Sequence, residues 1–393
     1  MKHLTRNCIA AALLGAVVNA NADVITDWNV KAGEIVTESK LGTPPAIRTM
    51  AIVQTAVYDA VNSVASGASI NAAVASANRV TMTKLMPSAQ PSIDTAYQAA
   101  LAQIADGPAK TAGVAAGEQA ATAVLARRAD DGSATAESYR PHAAAGMYVP
   151  TAMPAVTQWP QRKPWVMSSA AQFRPGPPPA LTSDAWARDF NEVKLLGAKN
   201  STRRSPEQTE IARFWEYSLP AIYYGVVRSV ALAPGRDVAQ NARMFAAVSQ
   251  AMDDALISVF DAKYQYNFWR PATAIRNGDI DGNATTERDA AWSPLVDAPM
   301  HPEYPSGHAI LAGAVGAVVK ADIGAGRTPV LSTSSPSAKG ATRSWTSVDD
   351  FMREVSDSRV YAGIHFRSAL DAGTAMGKRI GETTVQKFQQ ASH

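Results

Sequence analysis

The chain has 393 residues, 46% of them hydrophobic, and a formal net charge of +3. That is enough apolar chain for one large domain or two ordinary ones. The near-neutral balance argues against nucleic acid as a partner, and a single cysteine, Cys8, excludes a disulfide scaffold.

Residues 1–22 read as a secretory signal peptide: Lys2 and Arg6 without an acid, the apolar run CIAAALLGAVV, then Ala20-Asn21-Ala22. The apolar run is too short to span a bilayer. Cys8 precedes that run instead of following it, which argues against a lipoprotein. Cleavage after Ala22 and export, to the periplasm or beyond, would remove two positive charges and Cys8, taking +3 to +1 and leaving no cysteine. Stability must then come from packing. The longest later apolar run, Ala309 to Val319, stops at Lys320, short of the roughly 18 apolar residues a membrane helix needs. No integral membrane segment is expected.

Alanine is abundant and β-branched alternation scarce, so the expected class is all-α. In IRTMAIVQTAVYDAVNSV, Ile47, Met50, Val53, Val57, Val61 and Val64 recur every three or four residues and predict a helix with one buried face. Pro91-Ser92-Ile93-Asp94 opens a second helix, and Asp106-Gly107-Pro108 turns the chain into a third that ends before Asp130. The sequence suggests that these two form an antiparallel hairpin.

From Pro141 to Pro179 the periodicity vanishes. The segment is proline-rich, yet Trp159, Trp165 and Phe173 point to an irregular stretch lying ordered across the helices, not a flexible linker. Helices resume at Ser183-Asp184 and at SPEQTE, where Ser205, Pro206 and Gln208 form a capping box. The run from Arg236 to Phe268 reads as one long helix ending at Arg270-Pro271; another begins at Pro305-Ser306, and the last runs from about Ser347 through Lys387. The expected organisation is therefore a signal peptide, a helical region over 23–180 serving as scaffold and entrance, and a catalytic bundle over 181–393.

Three segments carry chemistry. In KYQYNFWRP, Lys263 and Arg270 stand seven residues apart, about two helical turns, so both would project from one face. A basic helix face is ordinarily solvated. Here the intervening residues are largely aromatic, and cations in such surroundings need an anionic partner. In HPEYPSGHA, Ser306 can cap a helix and Gly307 lets a ligand reach the backbone. Free amides at that helix start suit an anion, with His308 in the first turn beside it. In SRVYAGIHFRSALD, Arg359 and His365 lie six apart on a helix, with Gly363 between them permitting close packing. A lone helical histidine is more often structural than a ligand. Together, though, the three segments supply two arginines, a lysine, a serine, amides and two histidines, all suited to a tetrahedral oxyanion.

The order Lys-x6-Arg-Pro, Pro-Ser-Gly-His, Ser-Arg-x5-His resembles the superfamily of vanadium-dependent haloperoxidases and type 2 phosphatidic-acid and acid phosphatases. The motifs cover about a hundred residues. KYQYNFWRPATAIR, SRVYAGIHFRS and AVYDAVNSV look like the bacterial haloperoxidase branch. The resemblance implies a helical bundle around vanadate, with phosphate able to occupy the same site. Lys263, Arg270 and Arg359 would neutralise the oxygens, Ser306 and the Gly307 amide would donate to them, His365 would bind the vanadium, and His308 would act as acid–base. Substrates would be hydrogen peroxide and a halide, the product a hypohalous acid equivalent, and the organic acceptor unassigned. His301 stands where the family's bromoperoxidases tend to have histidine and its chloroperoxidases an aromatic residue, which points to bromide or iodide. The oligomeric state, a homo-oligomer included, is left open.

Two alternatives use the same residues. In a phosphatase, His365 would attack phosphorus and His308 would protonate the leaving alcohol. Chain length, the lack of membrane helices and Ala369, where the phosphatase pattern expects an acid, weigh against it. Asp371 lies two residues past Ala369, about 200° further around the helix, and is poorly placed to orient His365, so a backbone carbonyl is the candidate for that role. In the second alternative the protein binds an oxyanion without turnover. His142 is expected at the surface, and His393 is the chain end.

Overall fold

The computed structural model describes residues 23–390; residues 1–22, which carry the expected signal peptide, and His393 lie outside them. The fold is all-α apart from one hairpin. Its N-terminal helices are α1 (Val24–Glu38), α2 (Thr43–Ser63), α3 (Ile70–Leu85), α4 (Gln90–Ala102) and α5 (Pro108–Arg127). After the proline-rich segment come α6 (Asp184–Leu196), α7 (Pro206–Phe214), α8 (Pro220–Ala231), α9 (Val238–Tyr266), α10 (Pro271–Arg276) and α11 (Gly307–Ile323). Strands β1 (Leu331–Ser335) and β2 (Ala341–Trp345) pair antiparallel, Leu331 opposite Trp345, before α12 (Val348–Tyr361) and α13 (Arg367–Gln390). The predicted capping box at Ser205 and Gln208 starts α7, and Asp237 with Gln240 caps α9 in the same way. No described helix is long and apolar enough to cross a membrane.

Several expectations need correcting. Helix α2 is buried on almost every side over Ala46–Val57, because α3, α5 and α9 surround it. The hairpin of α4 with α5 does not form: α5 packs on α3 and α2 instead. Its Gly117 explains the choice, since a Cβ there would stand 2.2 Å from the Ala73 carbonyl of α3, an approach open only to glycine. The final helix is broken: α12 ends at Tyr361, α13 starts at Arg367, and Gly363 between them has φ +78°. The β hairpin went unforeseen because LSTSS and ATRSW are polar and short.

The main core runs through both halves of the chain. Residues of α2 and α3 pack in one continuous cluster with α8, α9, α11 and α13. Across it lies the proline-rich segment, ordered as its aromatics suggested: Trp159 and Phe173 are buried. Buried charge fixes it there. Arg162 donates to both carboxylate oxygens of Asp253 at 2.5 and 2.9 Å and to Asp131 at 2.9 Å, and Asp131 also takes Arg48 at 2.9 Å. At the next position of α9, the Asp254 carboxylate accepts the amides of Trp165, Val166 and Met167 at 2.7, 2.9 and 3.1 Å. Unpaired, such buried carboxylates would be costly. Here each has several donors.

Candidate functional site

Helix α9 delivers Lys263 in its last turn and then stops, with Asn267 in the left-handed region at φ 49°. Arg270 therefore does not share a helical face with Lys263. It sits at the N-cap of α10, and the extended residues between are held by Tyr148 N–H to the Asn267 carbonyl at 2.7 Å and Trp269 N–H to the Gly146 carbonyl at 2.9 Å. The two cations still converge. Lys263 is fully buried and donates to the carbonyls of Pro302 and Glu303, both at 2.8 Å. Arg270 donates through Nε to the His301 carbonyl, through Nη1 to the Ile364 carbonyl and through Nη2 to His301 Nδ1, each at 2.9 Å. Its Nη1 also lies 3.3 Å from His365 Nε2.

The second segment places Ser306 at the N-cap of α11, its hydroxyl accepting the Ala309 amide at 3.4 Å. A Cβ on Gly307 would meet nothing within 4 Å, so the helix start faces open space. The Ser306 amide is tied to the Ala369 carbonyl at 2.9 Å, which fixes α11 against α13.

In the third segment His365 lies in the break between α12 and α13, not on a helix. The break is enforced by contact: a Cβ at Gly363 would stand 2.3 Å from the Gly197 carbonyl. Arg359 is buried near the end of α12 and donates to the Trp215 carbonyl at 2.6 Å. Burial above all, and then Arg270, Lys263 and Arg359 around the same imidazole, hold His365 well below the usual histidine range. His301 and His308 are likewise driven well down, burial being the larger cause and the nearby cations the next. Burial also lowers the Arg270 and Arg359 guanidinium groups to about 10. At neutral pH the site therefore combines charged arginines with neutral imidazoles.

Sequence reasoning missed Glu303. It is fully buried, and its Oε1 lies 2.7 Å from His365 Nδ1 and accepts the Phe366 amide at 2.9 Å. This carboxylate, not a backbone carbonyl, orients His365; Asp371 is exposed and takes no part. Burial pushes Glu303 up to about 8, against the pull of Arg270 and Lys263. The tautomer follows from the partners. Arginine can only donate, so His365 Nε2 is an acceptor and the proton sits on Nδ1, facing Glu303. A signal did exist in HPEYPSGH: an acid held between two prolines and among histidines has few reasons to be there except to hold one of them.

Several polar atoms around these residues are buried without partners: Glu303 Oε2, His308 Nε2, Arg359 Nε and, on α8, the Tyr223 hydroxyl. Buried polar atoms are ordinarily satisfied. A polyoxygen anion would meet the unused donors of Lys263, Arg359 and Ser306, and the Nε2 lone pair of His365 faces the same region. The donor set suits an oxyanion and not a bare cation. Among the described residues no three His, Cys, Asp or Glu side chains form a cation-binding group. Of the other histidines, His142 is exposed, as expected.

Residues 243–393 match the family model of the VCPO second helical-bundle domain. The vanadium chloroperoxidase of Curvularia inaequalis is 32% identical over 36% of this chain, and that match spans 28% of the relative's own length. Among solved structures, the first bacterial vanadium-dependent iodoperoxidase is 26% identical with a TM-score of 0.79, covering 92% of this chain and 96% of that one. A holo-type bacterial vanadium-dependent chloroperoxidase, 18% identical with a TM-score of 0.68 over 89% and 93% of the two chains, shares the fold.

Proposed function

We propose that this chain, which has the fold and the C-terminal bundle of the vanadium haloperoxidases, is a vanadate-dependent haloperoxidase that oxidises bromide or iodide with hydrogen peroxide to a hypohalous acid equivalent. One observation carries the reading: three basic side chains from three separate segments surround an imidazole whose Nε2 is kept free of a proton by Glu303 on the opposite nitrogen. Bound vanadate would supply a Lewis acid that activates peroxide without changing valence.

The chain's own residues do the rest. Lys263, Arg270 and Arg359 bind and neutralise the anionic oxygens, while the Ser306 hydroxyl and the Gly307 amide donate to them. His365 offers Nε2 to the metal, and Glu303 keeps its proton on Nδ1. His308, neutral and with an unpartnered Nε2, takes a proton from incoming peroxide and returns it to the leaving oxygen. Burial of Lys263 and Arg359 excludes bulk water and strengthens each of these contacts. His301, joined to Arg270 and packed edge-on against Phe260 at 5.2 Å between ring centroids, lines the site where halide choice would be made. The region before residue 180 serves as scaffold and entrance, and the N-terminal signal pattern supports export.

A phosphatase would use His365 as nucleophile. The objection that no acid supports that histidine falls away, since Glu303 does so. Support for the peroxidase comes instead from the whole-length likeness to the iodoperoxidase. Phosphate-free protein should be loaded with vanadate and assayed for peroxide-dependent bromination of a phenolic dye, and the unloaded protein for hydrolysis of an aryl phosphate. Bromination that is lost in His308→Ala, with vanadate affinity within tenfold of wild type, is the expected result. Aryl phosphate turnover without bromination would establish the phosphatase. Vanadate binding with neither activity would leave only an oxyanion-binding protein.

A further inference from the structure

We propose that the cavity beside the oxyanion site seats the organic acceptor, a small electron-rich aromatic molecule bearing an acidic group; this rests on the haloperoxidase reading above. The cavity, of about 600 Å³, lies between residues 148–151, α10 and residues 294–300, within the usual range for small-molecule sites. Its inner wall includes Arg270, the side chain that also touches His301 and His365. A molecule seated there is one residue away from where the oxidant forms.

The rim is apolar and exposed. Val149 and Met300 line it at 43% and 51% exposure, and the segment carrying Val149 is tied across to Met300 where the Ala155 amide donates to the Met300 carbonyl at 2.7 Å. Two of the nine exposed large hydrophobic residues among those described thus line one mouth. Clustered apolar surface of this kind marks a binding site, and thioethers make favourable contacts with aromatic ring edges. The charged lining is Arg270, Arg276 and Asp297, two cations against one acid, which selects an anionic head group. The frame is fixed at both edges: residues 146–148 pair with 267–269, and Ala155 pairs with Met300.

The transfer balances without a further reagent. Hypohalous acid gives its halogen to a ring carbon, so a C–X bond forms and the O–X bond breaks. The ring then loses a proton, and the hydroxyl and that proton leave as water.

The test is direct binding of 4-hydroxybenzoate to the full chain by calorimetry, in wild type, Val149→Glu and Met300→Glu. Both substitutions are at exposed positions, and circular dichroism and thermal unfolding verify that the variants fold. We expect each to weaken binding at least fivefold while vanadate affinity and the rate of triiodide formation from iodide stay within twofold. Wild type that binds no aromatic acid, or variants that bind it equally well, would overturn the seat while leaving halide oxidation untouched. Protein that binds the acid but oxidises no halide, when loaded with vanadate, overturns the haloperoxidase reading and the acceptor role with it.

Discussion

Glu303 and His365, 62 residues apart in the chain, meet at 2.7 Å in the centre of the site, and the Phe366 amide holds the same carboxylate oxygen at 2.9 Å. Removing the carboxylate frees the ring to turn and its proton to move. Glu303→Ala should therefore weaken vanadate binding by about 10–100-fold, the usual cost of losing such a partner. Glu303→Gln, whose amide oxygen can accept the same two bonds, should fall between the two. Equilibrium dialysis measures the affinity, and ¹⁵N NMR of the imidazole reports which nitrogen carries the proton. Unchanged affinity in the alanine variant would mean that another group holds the ring.

His301 shares its Nδ1 with Arg270 at 2.9 Å. His301→Phe removes that acceptor and brings an apolar edge to the halide side. The expected outcome is a shift in relative kcat/KM from bromide and iodide toward chloride, measured with one preparation and three halides. An identical ranking in the variant would detach halide choice from this position.

Arg162 bridges Asp131 and Asp253 with both partners fully buried. Arg162→Met leaves the two carboxylates short of their cation. The expected loss is about 3–5 kcal/mol of unfolding free energy, the range for breaking a buried pair by removing one member. Urea unfolding measures it, and a loss below about 1 kcal/mol would show that Arg48 and Arg128 suffice for Asp131.

Asp254 makes a pH-dependent contribution of the opposite sense to an ordinary salt bridge. Burial raises it from 3.8 to about 6, despite three amide donors. A raised carboxyl favours the protonated folded form, so its contribution is full below the unfolded value and declines as pH rises through about 6. The stability difference between wild type and Asp254→Asn should therefore be larger at acidic than at neutral pH. Between pH 4.5 and 7.5 the change is about 2 kcal/mol. A difference that grows with pH would mean the amides hold Asp254 ionised throughout.

The helices were legible because their signals are local. The Ser205–Gln208 box, the uninterrupted run of α9 and the Ser306 cap each depend on residues within one or two turns. The cationic and imidazole residues were legible as a set, because so many charges among aromatics demand a common anion. What escaped the sequence depends on contacts between distant segments. Glu303 acquires its role only when the turn carrying it meets the break before α13. That break is caused by Gly363 lying against Gly197, which no local pattern announces. The docking of α5 on α3 in place of α4 likewise follows from a glycine facing a carbonyl forty-odd residues upstream.

The side chains that fasten the proline-rich segment to α9 have a consequence for how the protein can be dismantled. Asp253 and Asp254 draw their donors from residues 162–167, so a fragment starting at 181 would expose two adjacent carboxylates amid the apolar flank of its longest rod. The same cut would strip the backbone that braces residues 267–269 just ahead of Arg270. The C-terminal bundle is thus no portable module: its working end keeps its shape only in the grip of the chain made before it.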